Sequence, residues 1–260
     1  MSESSIARII GYARLIAILL MLGITGIYTW TYITRGANDQ VAFLTASLAL
    51  VGIAFLNLLY NYLKGDAKWF LYVLFLFSAM VFSSVGDFLM AGLFYITSDT
   101  LINGIIFFTI GHLFYILALR TRSPLLLRPR SESPTEAPDQ PRLLLVNLVI
   151  LIMCFIAVTG LFYFTVFNPT QIEMSIAVIC YGLLFATVIA FAITKWFDDF
   201  QILFKIAIVA GFLLFFFSDW VIGVRTFASS DFLDSFAVGI TYLSGQLLIH
   251  LSPIAAAGGE

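Results

Sequence analysis

Apolar runs of roughly 20 residues, each long enough to cross a hydrocarbon core as a helix, recur along this chain and decide what it can fold into. Eight can be marked, at 15–33, 41–63, 70–90, 101–119, 143–167, 174–194, 203–224 and 232–251. Lipid offers no hydrogen-bond partner to an open backbone, so runs of this length must be helical. With 61 % hydrophobic and 11 % charged residues over 260 positions, the chain carries less than half the usual charged share, which excludes a soluble globular domain. The expected fold class is all-α, a polytopic integral membrane protein of eight transmembrane helices. Arg8 and Arg14 precede the first run as in a signal peptide, but the run is long enough to span and no clean small-residue cleavage site follows, so it reads as a retained helix.

Basic residues orient the bundle, because cytoplasmic loops carry an excess of Lys and Arg. With eight spans, both termini share a side with the loops holding Lys64, Lys68, Arg120, Arg122, Arg128, Arg130, Arg142, Lys195 and Lys205. Arg8 and Arg14 bring that side to eleven, against Arg35 and Arg225 alone on the other. Both termini are therefore expected in the cytoplasm. The stretch 120–142 holds five of the seven prolines and five of the thirteen basic residues, which reads as an exposed cytoplasmic linker. It divides a single membrane domain into four-helix halves at 15–119 and 143–251. The halves read as two parallel repeats: Gly86-Asp87 is followed by Gly111-His112 in one, Ser218-Asp219 by Gly245-Gln246 in the other.

A net charge of −2 and the lack of a basic aromatic patch give no reason to expect nucleic acid as a partner. Cys154 and Cys180 both sit in apolar runs without CxxC spacing and read as small buried hydrophobes. The chemistry lies instead in Asp87 and Asp219. An ionised Asp near mid-bilayer costs roughly 2.5–3.5 kcal/mol on insertion scales, so such residues face an interior and mark function. Helical spacing aligns Ser83 with Asp87, sets His112 beside Phe108 and Tyr115, and puts Tyr242, Gln246 and His250 on one stripe. If these spans adjoin, two carboxyls, an imidazole, an amide and a phenol face one cavity. The competing readings are polar groups that pair helices, an interfacial position for His250, and a snorkelling anchor or a phosphate contact for Arg225. Asn57 and Asn61 read as interhelical bonding groups. A zinc site from His112, Asp87, Asp219 and His250 is the sharp alternative, but no HxxxH or HExxH spacing occurs, and neither metal nor cofactor is expected.

At these residues the chain resembles the YhhN-type membrane family, which includes the animal lysoplasmalogenases. The resemblance rests on Gly86-Asp87-Phe88-Leu89-Met90, Gly111-His112-Leu113-Phe114-Tyr115, Tyr181, Phe217-Ser218-Asp219 with Arg225-Thr226-Phe227, and Tyr242 through Ile249. It covers roughly residues 70–252. It implies hydrolysis of the vinyl ether bond of a lysoplasmalogen, releasing a fatty aldehyde and a glycerophosphocholine or glycerophosphoethanolamine. Asp87, Asp219 and His112 would then be catalytic; Tyr115, Tyr181, Ser218, Arg225, Tyr242 and Gln246 would bind substrate. The partner is a lipid substrate, and the expected location is a bacterial inner membrane. The rival class is a lipid or amine transporter using the aspartates as a proton relay or counter-ion.

Overall fold

A computed structural model of the chain describes residues 3–35, 39–65, 67–121, 140–198, 200–227 and 234–257. They form eight α-helices: α1 (Glu3–Arg35), α2 (Gln40–Lys64), α3 (Ala67–Met90), α4 (Thr100–Thr121), α5 (Gln140–Thr165), α6 (Ile172–Thr194), α7 (Ile202–Phe227) and α8 (Ser235–Ala257). A 3-10 turn, Lys195–Phe197, follows α6, and no strand occurs among the described residues. All eight helices are long and apolar enough to cross a membrane.

The helices overrun the expected spans at most ends, most of all in α1, which begins at Glu3. Phe167 lies in the turn after α5, and positions 232–233 fall outside the described residues. So does most of the linker, 122–139. Its ends are helical: Arg120 and Thr121 close α4, while Gln140 to Arg142 open α5. Pro141 fits there because first-turn N–H groups have no partner within the helix.

Aspartates start three of the helices by accepting orphan N–H groups. Asp39 takes the N–H of Ala42, Asp99 those of Leu101 and Ile102, and Asp234 that of Ala237. Pro253 sits inside α8, where it cannot donate to the carbonyl one turn back. That carbonyl, on Ile249, instead accepts the Ser252 hydroxyl at 2.7 Å. The helix therefore runs past His250, which is buried at 1 % exposure rather than interfacial as expected.

The tightest pairs are α3 with α4 and α7 with α8. Contacts of α2 with α3, α4 with α6, α6 with α7, and α8 with α2 and α3 close a bundle around them. The remaining two helices lie outside. Only 11 % of the spanning window of α1 and 6 % of that of α5 is buried, against 39–50 % in the others. Exposed Leu, Ile and Phe on α1 and α5, Leu19, Leu20, Ile156 and Phe164 among them, present an apolar face suited to lipid. The cysteines depart from the expected burial. Cys154 of the outlying α5 is half-buried and Cys180 of α6 is exposed, both as free thiols.

Candidate active site

Glycine sets the two acid-bearing helices against their partners at backbone contact. A Cβ on Gly111 of α4 would stand 3.0 Å from Ser83 Oγ and 3.2 Å from the Ala79 carbonyl of α3. One on Gly245 of α8 would stand 2.7 Å from the Gly211 carbonyl and 2.9 Å from the Phe215 nitrogen of α7. Ala79 and Gly211 lie eight residues before Asp87 and Asp219, and Ser83 and Phe215 lie four before them. The two close approaches thus occupy the same place relative to each acid.

Asp87, near the end of α3, is buried. Its Oδ2 accepts the hydroxyl of Ser47 on α2 at 2.5 Å and that of Tyr242 on α8 at 2.9 Å. Ser47 Oγ also lies 3.1 Å from Ser84 Oγ. Asp219 on α7 accepts the hydroxyl of Tyr181 on α6. A buried carboxyl is tolerated only with such donors, and every donor here comes from another helix.

Both carboxyls line one cavity of about 400 Å³, together with Ser218, Arg225 and Tyr242. Gln40, Ala91 and Ser235 border it, so it lies toward the end of the bundle where α3 and α7 finish and α2 and α8 begin. Gln40 donates its amide to the Ala91 carbonyl at 2.8 Å, tying α2 to the end of α3. The helix α1 supplies another wall. Tyr28 lines the cavity and packs over Gly239, where its hydroxyl takes the space that a Cβ would need. Tyr28 also donates to the Ser235 carbonyl at 3.4 Å, while Tyr32 stacks on Phe236 at 4.3 Å and donates to Asp234. These contacts clasp α1 to the start of α8.

Five of the nine expected site residues therefore share the cavity: Asp87, Ser218, Asp219, Arg225 and Tyr242. Tyr181 reaches it through Asp219. His112, Tyr115 and Gln246 do not line it; they form a buried layer behind it, because aromatic rings stand between. The His112 ring lies 5.2 Å from those of both Tyr181 and Phe215, and Phe215 lies 5.1 Å from Tyr242. His112 Nδ1–H donates to the Phe108 carbonyl at 2.5 Å, while Nε2 is buried and without a protein partner. Tyr115 donates to Gln246 Oε1 at 2.6 Å and lies 3.4 Å from His250 Nε2. Asn57 bonds across helices as expected, donating to the His250 carbonyl at 2.7 Å and accepting from Arg14 at 3.3 Å. Asn61 donates within its own helix instead, to the Asn57 carbonyl at 2.9 Å. No three His, Cys, Asp or Glu side chains among the described residues are grouped to hold a metal ion.

Tyr28, Gln40 and Ser47 were not singled out from the sequence. Ser47 carries a faint signal, a small hydroxyl in an apolar span, and its value depends on which helix packs beside α2. Compared with models of known families, the chain matches that of the YhhN family over residues 41–253. It belongs to the YhhN family. No curated protein and no solved structure matches it. The YhhN match begins before the resemblance read from the motifs and takes in α2 with Ser47, while α1 precedes it.

Proposed function

We propose that this chain is a membrane-embedded hydrolase that cleaves the vinyl ether bond of lysoplasmalogens, with Asp87 and Asp219 as its acid–base pair. The observation that carries this reading is that both carboxyls line one cavity of about 400 Å³, a volume in the range of small-molecule sites. The chemistry asks for such a pair. A vinyl ether is opened by protonation at its β-carbon, which leaves an oxocarbenium ion for water to capture. One group must give the proton, and another must face the cation and take the proton from water. Carboxyls sharing an apolar cavity divide into those two roles, because two neighbouring charges are disfavoured there.

Membership of the YhhN family and the lipid-facing setting support a lipid substrate. Arg225, exposed at the cavity and the one basic side chain lining it among the described residues, suits a headgroup phosphate. Tyr242 and Ser218 line the same cavity, and their hydroxyls suit a glycerol. His112 acts through Tyr181, whose ring it abuts, and Tyr115 and Gln246 brace the layer behind. With both termini in the cytoplasm of a bacterial inner membrane, the cavity opens toward the opposite face.

The test is aldehyde release from a lysoplasmalogen by the purified chain. Release that depends on each aspartate is the expected result. Lipid uptake into liposomes driven by a proton gradient, without aldehyde, would overturn the hydrolase reading in favour of transport.

A further inference from the structure

Asp219 borders a second space besides the cavity. A narrow apolar slot of about 30 Å³ opens beside it between α4, α5, α6 and α7, walled by Ile105, Phe162, Val178 and Gly223. Met90, Phe108 and Ile222 line both spaces and stand between them, whereas Asp87 borders only the cavity. Asp219 is thus the carboxyl at the junction.

The slot follows a seam. Buried apolar side chains gather into two clusters, a large one through the bundle and a small one around Phe162, Val178 and Phe227 of α5, α6 and α7. The slot has walls from both, with Phe108 belonging to the first. Separate clusters part more easily than one interlocked core, and α5 is held chiefly by α6. The slot's volume is about one water's share of the liquid, so a chain enters it only by displacing flexible side chains such as Met90, and a branched one would displace more. A Cβ on Gly223 would stand 3.3 Å from a methyl of Val166, the residue after α5, so α7 and the end of α5 are in close contact beside the slot.

A polar-ended cavity and an apolar slot that meet at one carboxyl fit a single-chain amphiphile. Resting on the vinyl ether reading, we infer that the slot is the binding site for the alkenyl chain, with the headgroup in the cavity near Arg225 and Gln40. This pose sets the β-carbon, the second chain carbon counted from the ether oxygen, beside Asp219. Asp219 is then the proton donor. Its proton goes to the β-carbon with the π electron pair, and the positive charge stays on the α-carbon and ether oxygen. Water adds to the α-carbon and gives its proton to Asp87. As the hemiacetal collapses, its hydroxyl proton returns to Asp219 and the leaving glycerol oxygen takes the proton from Asp87. Water is consumed, an aldehyde and an alcohol are formed, and both carboxyls end as they began.

The test uses the full chain in lipid nanodiscs and a saturated, non-hydrolysable ether lysophospholipid with a diazirine on the third chain carbon. Photolabelling mapped by mass spectrometry is expected on Ile105, Phe162 and Val178. Labels on Tyr28, Phe43 or Val238 overturn the slot and reverse the roles of the two acids; unsaturable labelling spread over the lipid-facing surface overturns the slot as well. Two variants add a second readout, Val178→Trp and Gly223→Leu. Each is expected to lower the ratio of aldehyde released from long-chain over butyl vinyl ethers by about tenfold, the scale of steric discrimination in an apolar pocket; an unchanged ratio in both overturns the inference. Slot labelling without any aldehyde release leaves the chain site standing and defeats the hydrolase reading instead, so the two failures are distinguishable.

Discussion

The α3–α4 and α7–α8 pairs are built to the same plan and furnished differently. In each, a glycine of the second helix rests on the backbone of the first, eight and four residues ahead of an aspartate. Around that frame the side chains diverge. The position four before the acid is Ser83 in one pair and Phe215 in the other, and the residue after the glycine is His112 in one and Gln246 in the other. Asp87 takes two hydroxyls, from α2 and α8; Asp219 takes one, from α6. The frame decides where each carboxyl stands, and the helices outside the pair decide what it can do there. Equal placement with unequal partners is what the proposed division into an acid and a base predicts.

Several substitutions probe that asymmetry. The largest effect is expected from Asp87→Asn and Asp219→Asn, each lowering aldehyde release by about 10²- to 10⁴-fold, the usual worth of an acid or base. Either variant retaining full turnover, while inserting normally, would remove the pair from the chemistry. Tyr181→Phe and Tyr242→Phe come next. Among the described residues Tyr181 is the only side-chain donor to Asp219, whereas Asp87 keeps Ser47 when Tyr242 is lost. Tyr181→Phe should therefore slow turnover by about tenfold or more, the scale of one hydrogen bond to a charged group, and Tyr242→Phe by less. The reverse order, read from kcat on one substrate, breaks the comparison as drawn.

The frame itself is tested by Gly245→Ala against Gly111→Ala. A methyl at 245 meets backbone at 2.7 Å and one at 111 meets it at 3.2 Å. Overpacking costs about 1–3 kcal/mol, and Gly245→Ala should lie at the upper end, with the larger drop in thermal unfolding temperature in detergent. Equal drops would mean the two contacts are equally soft. The smallest effect is expected from Ser47→Ala, which leaves Tyr242 on Asp87 and should lower turnover by less than Tyr181→Phe.

The spans were legible because length and hydropathy alone decide whether a segment can cross lipid, and no long-range contact is needed to read them. Asp87 and Asp219 stood out for the same reason, as charges where charge is costly. The shared cavity was foreseen only as a consequence of spans adjoining, and five of nine site residues meet there. The layering was hidden: whether His112 faces the acids or stands behind Tyr181 depends on how the helices are rotated about their axes. Tyr28 and Ser47 were hidden because their partners lie on α8 and α3, and a hydroxyl in an apolar run looks alike whether it bonds its own helix or a neighbour's carboxyl. His250 was misplaced because it sits near the end of the apolar run, while the helix continues to Ala257 and packs it inside the bundle.

The clasp between α1 and α8 also bears on how the protein is made. Tyr28 meets Ser235 across 207 positions. During synthesis the first helix therefore enters the membrane long before its partner exists. Tyr242, the second donor to Asp87, arrives on α8 as well. The cavity stays an open trough until that span is inserted, and a chain cut short of α8 lacks both a wall and a donor to Asp87. A closed cavity then reports on completed biogenesis, since the walls meet only when the eighth span reaches the first.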